Sequence, residues 1–168
     1  MLLPRLLPIL FAFMLVACAE APEQPAPPPP TLVELTINSA NLINPDASGK
    51  ASPVVLRIYE LRQQSSFTGA DFFAIFDKEQ ATLAADLVRK QELLIKPGEN
   101  KTLRIDPAAD TAALGFFAAF RKLDNAGWRT LTELKAHQLN AVTLKLDGNS
   151  LSVSNTPSQS VPTAGAKP

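Results

Sequence analysis

The sequence predicts a mainly β protein, a two-sheet β-sandwich of seven to eight strands with a short helical insertion. Three observations support this prediction. Short runs of alternating apolar and polar residues recur through the middle of the chain, which is typical of strands with one buried face. Turn residues separate these runs. A single stretch, from Ser66 to Asp86, has helical spacing instead, and short strands with one helical insertion favour two packed sheets.

The first half of this pattern contains four predicted strands and the helical stretch. The apolar residues that share one face of each strand are, in chain order, Val33, Leu35 and Ile37; Val54, Leu56 and Ile58; Leu93 and Ile95; and Leu103 and Ile105. Between the second and third strands, Phe72, Ile75 and Phe76 recur at helical spacing, as do Leu83 and Leu87. We therefore expect one or two short helices there.

The second half contains an unusually apolar strand and a hairpin. Its apolar strand has one face formed by Leu114, Phe116, Ala118 and Phe120. Because Phe117 is apolar as well, we expect a central strand that is buried on both sides. A further strand is expected from Trp128 to Leu134. The last two strands, 142–146 and 151–153, flank the turn Asp147-Gly148-Asn149 and form the clearest predicted hairpin.

The N-terminus has the features of an export signal. Arg5 precedes an apolar run from Leu6 to Ala17, which is shorter than the ~20 residues that a membrane-spanning helix needs. Leu15-Val16-Ala17-Cys18 resembles a bacterial lipobox, and Cys18 is the only cysteine. We expect residues 1–17 to be a cleaved signal peptide and Cys18 to carry a covalent lipid. The alternative is an uncleaved apolar core helix with a buried free thiol.

The residues after the signal divide into three parts. Residues 18–31 form a Pro-rich stalk after the lipidated cysteine, because their composition favours extended polyproline II over a packed core. Residues 32–154 form the sandwich domain, and 155–168 are expected to be a disordered tail. In lipoproteins with such a signal, Asp after the lipidated cysteine favours the inner membrane. Ala19 occupies that position here, which by resemblance indicates the outer membrane.

The sequence lacks the residue patterns of common active sites. Its only histidine, His137, lies in a polar segment and is expected to be a solvated loop residue, which leaves no zinc ligand set. No Gly-x-Ser-x-Gly or Gly-rich phosphate loop is present. Lys plus Arg equal Asp plus Glu, 16 of each, without a basic stripe. We expect no enzyme activity, no metal, no cofactor beyond the lipid on Cys18, no small-molecule substrate and no nucleic-acid partner.

Two groups of side chains leave alternatives open. Arg57, Arg121 and Arg129 could form a functional patch, but outward strand positions are the simpler expectation. In that case Glu60, Glu133 or Asp124 would be their ion-pair partners. The cluster Phe72-Phe73-Phe76 could bind an apolar ligand, although such a stripe more often docks a helix on its sheet.

Three stretches, taken together behind the lipobox, resemble the type VI secretion lipoprotein family, TssJ. The stretches are Asn44-Pro45-Asp46 with Gly49-Lys50 and Ser52 to Leu61; Phe67 with Ala70 to Phe76; and Leu114 to Arg121 with Trp128-Arg129. The resemblance covers about Leu35 to Trp128. It implies a transthyretin-like β-sandwich with a helical addition. It also implies an outer-membrane lipoprotein that binds the C-terminal periplasmic domain of the inner-membrane protein TssM.

The family resemblance further implies that the loop between the first two strands contacts TssM. That loop is expected at residues 39–52 and is long for a strand connection. Leu42 and Ile43 are either anchors in a groove of the partner or part of the domain's own core. The Asn44-Pro45-Asp46 turn would lower the ordering cost of binding. The expected contact residues are Asn41, Leu42, Ile43, Asn44, Pro45, Asp46, Ser48, Gly49 and Lys50.

The expected function follows from this resemblance. The chain would be a structural lipoprotein of the type VI secretion membrane complex, held by its lipid in the outer-membrane bilayer with the domain on the periplasmic side. By binding TssM it would help to bridge the envelope. The alternative is a periplasmic lipoprotein that binds or processes a small envelope ligand, because a fold alone does not settle function.

Overall fold

The computed structural model describes residues 26–156, which form two four-stranded sheets. The predicted signal peptide, Cys18, Ala19, residues 20–25 of the stalk and residues 157–168 lie outside the described residues. The elements are β1 (Leu32–Ile43), β2 (Val54–Leu61), α1 (Ser65–Gly69), α2 (Phe72–Leu83), a 3₁₀ turn (Ala84–Asp86), β3 (Leu87–Ile95), β4 (Asn100–Ile105), β5 (Ala113–Ala118), β6 (Arg129–Glu133), β7 (Leu139–Gly148) and β8 (Ser150–Thr156).

The strand order confirms the predicted fold class of a mainly β, two-sheet sandwich with a short helical insertion. One sheet, sheet A, has the order β4-β1-β7-β8, and the other, sheet B, has the order β3-β2-β5-β6. Neighbouring strands are antiparallel except for β1 and β7, which pair in parallel. The predicted hairpin of β7 and β8 is present. Strand β8 extends to Thr156, two residues into the segment that was expected to be a tail.

The main core lies between the two sheets. Every second residue of β1 and β2 points into it, and Val33, Leu35, Ile37 and Leu56 are fully buried. Strand β5 lies between β2 and β6, and all six of its residues are buried. The prediction of a central strand buried on both sides is therefore confirmed.

The helical insertion covers the outer face of sheet B. Phe67 of α1 and Ile75 of α2 are fully buried against Tyr59, Leu61 and Phe117. Helix α2 begins where the Asp71 carboxylate accepts a 2.8 Å hydrogen bond from the Ala74 amide, as an N-cap does. The insertion thus forms a second, smaller core that explains why β5 is apolar on both faces.

The boundary of the helical stretch differs from the prediction at Leu87. Helical spacing extends to this residue in the sequence, but Leu87 is the first residue of β3 and pairs with Leu61. The 3₁₀ turn ends the insertion at Asp86. Ala84, the first residue of this turn, has a φ of 42°. The chain reverses there and enters the sheet, a change that helical periodicity alone does not register.

Arg57 lies on the outer face of sheet B, and the expected ion-pair partners were wrong. Its guanidinium pairs with Glu79 at 3.3 Å and with Glu92 at 2.9 Å. It also donates to the carbonyl oxygen of Phe76 at 3.0 Å. The Tyr59 hydroxyl donates to Glu79 at 2.8 Å, and burial raises the pKa of that tyrosine. These bonds fasten α2 to β2 and β3, so Arg57 has a structural role.

Arg129 fastens the other helix in a similar way. Its guanidinium donates to the carbonyl oxygen of Phe67 at 2.9 Å and to that of Ala70. The guanidinium also stacks over the ring of Trp128, with its central carbon 4.6 Å from the ring centroid.

The aromatic cluster Phe72-Phe73-Phe76 lies on α2. Phe72 packs on Phe117, as the helix-docking interpretation expects, whereas Phe73 is 61% exposed.

A close approach of β5 to α1 generates a stability prediction. A Cβ at Gly115 would lie 3.0 Å from Cδ1 of Leu61 and 3.1 Å from the Phe67 ring. We predict that Gly115→Ala lowers the free energy of unfolding by about 1–3 kcal/mol through overpacking, measured by urea denaturation. Gly69→Ala is the control, because nothing lies within 4 Å of its Cβ position. Equal effects of the two substitutions would contradict the packing.

Candidate partner-binding surface

Four connections meet at one end of the sandwich, which we call the loop end. They are the β1–β2 loop (44–53), the β3–β4 turn (96–99), the β5–β6 loop (119–128) and the β7–β8 turn at Gly148–Asn149. The amide of Gly98 donates to Ala40 O at 3.0 Å, and the amide of Gly127 donates to Asn149 O at 3.0 Å. The described stalk residues, 26–31, enter β1 at the opposite end.

The loop predicted at residues 39–52 is shorter than expected and begins later. Strand β1 continues to Ile43, so the expected contact residues Asn41, Leu42 and Ile43 belong to the strand. Ser39 pairs with Leu146 and Ile43 with Gly148, which leaves three residues of β1 opposite one residue of β7. Because of this bulge, β1 remains paired with β7 beyond the polar residues Ser39 and Asn41. Bulges also redirect side chains at strand ends.

The structure places the two apolar residues of this segment on opposite sides. Ile43 is fully buried in the main core, whereas Leu42 is 53% exposed. The core alternative therefore holds for Ile43, whereas the side chain of Leu42 is open to a partner. The signal was present in the sequence, because extending the alternation of Val33, Leu35 and Ile37 puts Ile43 inside and Leu42 outside.

Asn41 is exposed because it lies in the bulge, and its side chain rests on the β3–β4 turn. Its Oδ1 atom lies 2.6 Å from the position that a Cβ atom of Gly98 would have, which is too close for a side chain there. Gly98 also has a φ of 72°, in the region that favours glycine. Gly98 is thus part of this surface, although it is not among the contact residues expected from the sequence.

Asn44 braces the loop end from within. It is 2% exposed, with a φ of 45°, a left-handed conformation that Asn tolerates better than most residues. Its amide donates to Gly148 O at 2.8 Å, and its Nδ2 donates to Pro53 O at 2.7 Å. Its Oδ1 accepts from the amide of Arg121 at 2.8 Å. Asn44 therefore positions three connections, and its side chain is not available to a partner.

The tip of the β1–β2 loop is closed by Asp46. Its carboxylate accepts hydrogen bonds from the Ser48 hydroxyl at 2.6 Å, the Ser48 amide at 2.8 Å and the Lys50 amide at 3.0 Å. The hydroxyl bond, together with these amides, lowers the pKa of Asp46. Gly49 completes the turn with a φ of 81°. Residues 47–50 are exposed on this ordered tip, next to the partly exposed Pro45.

Two further features of the described residues are a histidine in a turn and a cavity at a strand edge. Within 26–156, no group of three His, Cys, Asp or Glu side chains is placed to hold a metal ion. His137 is exposed in a turn, as predicted, and its Nδ1 lies 3.0 Å from Pro29 O. A cavity of about 340 Å³ at the β3–β4 edge is lined in part by the Arg89–Glu60 ion pair, at 3.2 Å. None of the helices in this part of the chain has the length and apolar character to span a membrane.

Known proteins share this architecture. The model of the family described as type VI secretion lipoprotein, VasD, EvfM, TssJ, VC_A0113, matches residues 31–149. The crystal structure of the T6SS lipoprotein TssJ1 from Pseudomonas aeruginosa is 36% identical, with a TM-score of 0.75. That match covers 78% of this chain and 100% of the TssJ1 chain.

Two further solved structures contain similar chains. One is described as a type VI membrane complex and is 25% identical, with a TM-score of 0.66. The other is described as the T6SS protein TssM C-terminal domain from EAEC and is 23% identical, with a TM-score of 0.62. Each match covers 74% of this chain and 98% of the other chain. No curated protein matches the sequence.

The sequence and structural matches agree on one family. The family model covers most of the domain, and the identity to TssJ1 extends over the whole of that chain. The resemblance inferred from the three sequence stretches is confirmed, and the chain belongs to the TssJ family of type VI secretion lipoproteins.

Proposed function

We propose that this chain is an outer-membrane-anchored structural lipoprotein whose loop end binds the periplasmic C-terminal domain of TssM. Through this contact it helps to connect the outer membrane with the inner-membrane part of the secretion machine. The observation that carries the proposal is the position of the loop end, opposite the point where the stalk enters β1. Similar chains occur in solved structures described as a type VI membrane complex and as the TssM C-terminal domain, which supports the choice of partner.

The length of β1 separates the two functional ends of the domain. The strand has 12 residues, which span about 40 Å at ~3.3 Å per residue. A lipid on Cys18 would hold the stalk end towards the outer membrane, and Ala19 would direct sorting to that membrane. The loop end would then face the periplasm, where a partner rooted in the inner membrane can reach it.

The loop end has the properties of a preorganised contact surface. Leu42 offers an exposed apolar side chain at the end of a rigid strand. The tip at 47–50 is exposed but held by the hydrogen bonds of Asp46. Because these bonds form before the partner arrives, less conformational entropy is lost on binding. Among the predicted contact residues, Leu42, Pro45, Ser48, Gly49 and Lys50 remain candidates for direct contact, whereas Ile43 and Asn44 support the surface from inside.

The proposal predicts direct binding between two purified proteins. The full-length chain, processed and purified in a non-ionic detergent, is titrated with the cognate TssM periplasmic domain in a calorimeter. We expect one saturable binding event. Absence of binding at tens of micromolar, with both proteins folded by circular dichroism, contradicts the proposal.

Leu42 and Ile43 provide a matched pair of substitutions. We predict that Leu42→Asp weakens TssM binding at least about tenfold, or ~1.4 kcal/mol, without changing the urea midpoint, because Leu42 is exposed. Ile43→Ala instead lowers the free energy of unfolding by about 2–5 kcal/mol, since it leaves a cavity in the core. Phe73→Asp, on an exposed residue of α2, is the control for binding. An unchanged affinity for Leu42→Asp would exclude this residue from the interface.

The lipid anchor makes a separate prediction. Cys18→Ser should bind TssM in solution as tightly as wild type, because the anchor is not part of the contact surface. It should no longer fractionate with the outer membrane or support secretion. Ala19→Asp should instead move the protein to inner-membrane fractions. Full secretion by cells that carry only Cys18→Ser would contradict a role for the anchor.

A further inference from the structure

We propose that the loop end recognises an acidic protein surface, through four cationic side chains on the loops that share this end with Leu42. The inference rests on the proposed function and adds the chemistry that the TssM surface must present. The cations are Lys50 on the β1–β2 loop, Lys96 on the β3–β4 turn, and Arg121 and Lys122 on the β5–β6 loop. All four are exposed.

The first support is that none of these cations forms an ion pair within the described part of the domain. Among residues 26–156, no carboxylate lies within ion-pairing distance of any of the four side chains. Arg121 is held next to the β1–β2 loop because its amide donates to the buried Asn44, and Lys50 is held in that loop because its amide donates to Asp46. The charge of Arg121 contributes to the lowered pKa of Asp46, so it acts on the loop tip.

The second support is that cations outnumber carboxylates at this end, because two of its four carboxylates already pair with other lysines. Asp46 accepts three hydrogen bonds from its own loop and keeps its negative charge. Glu99 accepts from the Lys96 amide at 2.8 Å and pairs with Lys101 at 3.2 Å. Asp147 pairs with Lys145 at 3.5 Å. Asp124 remains as one exposed carboxylate of the four loops that makes no ion pair within the described residues.

The excess of cations is a property of this surface and not of the composition. The chain has 16 Lys and Arg and 16 Asp and Glu, so its formal net charge is zero. Cations that share one end of the domain with an exposed apolar residue match the usual anatomy of protein interfaces, which have an apolar centre and a polar rim. Complementary charge across such a rim accelerates association and excludes wrong partners.

A protein partner is favoured over a lipid surface by the position of the patch. The stalk joins the domain at the end of the sandwich away from the loop end, so the cations point away from the membrane that holds the lipid. Lipid binding is nevertheless a measurable alternative, because phosphate headgroups attract the same side chains. Lipid binding is therefore one of the outcomes that the test distinguishes.

The test compares two triple variants of the full-length chain. The loop-end variant carries Lys50→Glu, Arg121→Glu and Lys122→Glu, which leave the backbone hydrogen bonds of these residues in place. The control carries Lys78→Glu, Arg104→Glu and Lys135→Glu, three exposed cations away from the loop end and likewise without an ion pair in the described residues. Binding to the TssM periplasmic domain is measured by surface plasmon resonance at 50, 150 and 400 mM NaCl.

We expect the loop-end variant to bind at least ~30-fold more weakly than wild type at 50 mM NaCl, mainly through a slower association rate. The difference should shrink at 400 mM, where salt screens exposed charges. The control should stay within about threefold of wild type. If the affinity changes neither with salt nor with the loop-end substitutions, this inference is overturned but the proposed function stays intact. Absence of any wild-type binding rejects the proposed function itself.

Co-sedimentation with phosphatidylglycerol vesicles separates the two possible anionic surfaces, provided that Cys18→Ser is added to the wild type and to both variants so that no acyl chain binds the vesicles. If the loop-end variant loses vesicle binding while its affinity for TssM is unchanged, the cations serve a membrane and the inference is overturned. If vesicle binding is weak and equal for the wild type and both variants while TssM binding falls as expected, the inference is supported.

Discussion

The loop end depends on one buried residue, Asn44, through its carboxamide and its backbone amide. This residue turns the chain out of β1 in a left-handed conformation and bonds to the β2 entrance, the β5–β6 loop and the β7–β8 turn. A buried polar group left without its partners costs about 1–3 kcal/mol. The three bonds therefore fix the relative positions of connections that are far apart in the sequence. A surface assembled in this way needs little further ordering when a partner binds.

The two sheets and the helical insertion supply the rigid body behind that surface. Strand β5 packs against the opposite sheet on one face and against α1 and α2 on the other, so sheet B is buried on both sides near its centre. Arg57 and Arg129 hold the helices to the sheet through carbonyl and carboxylate oxygens. The proposed adaptor would have to keep its two ends at a fixed separation, and this double packing suits that requirement.

Local sequence patterns were sufficient for most elements but not for the strand end that matters most. Alternation identified the two apolar strands of the main core, and helical spacing identified the insertion. The pattern of β1 weakens at Ser39 and Asn41, because a bulge places three residues opposite one. The strand consequently looked like a loop from residue 39, and Asn44 looked like an exposed turn residue.

The pairings that are distant in sequence were beyond local reasoning. The parallel pairing of β1 with β7 joins residues more than 100 positions apart, and no turn or spacing signals it. The ion pairs of Arg57 with Glu79 and Glu92 likewise depend on where the insertion lands. The family resemblance selected the β1–β2 region as the expected contact, and the structure separates its buried supporting residues from its exposed ones.

The central claim is that a preorganised loop end, and not the exposed phenylalanines of α2, contacts TssM. Hydrogen–deuterium exchange of the full-length chain, measured with and without the TssM periplasmic domain, tests it most directly. We predict that binding slows exchange in peptides that cover 44–53 and 119–123 and leaves exchange over 72–83 unchanged. Protection confined to 72–83, with 44–53 unchanged, would contradict it.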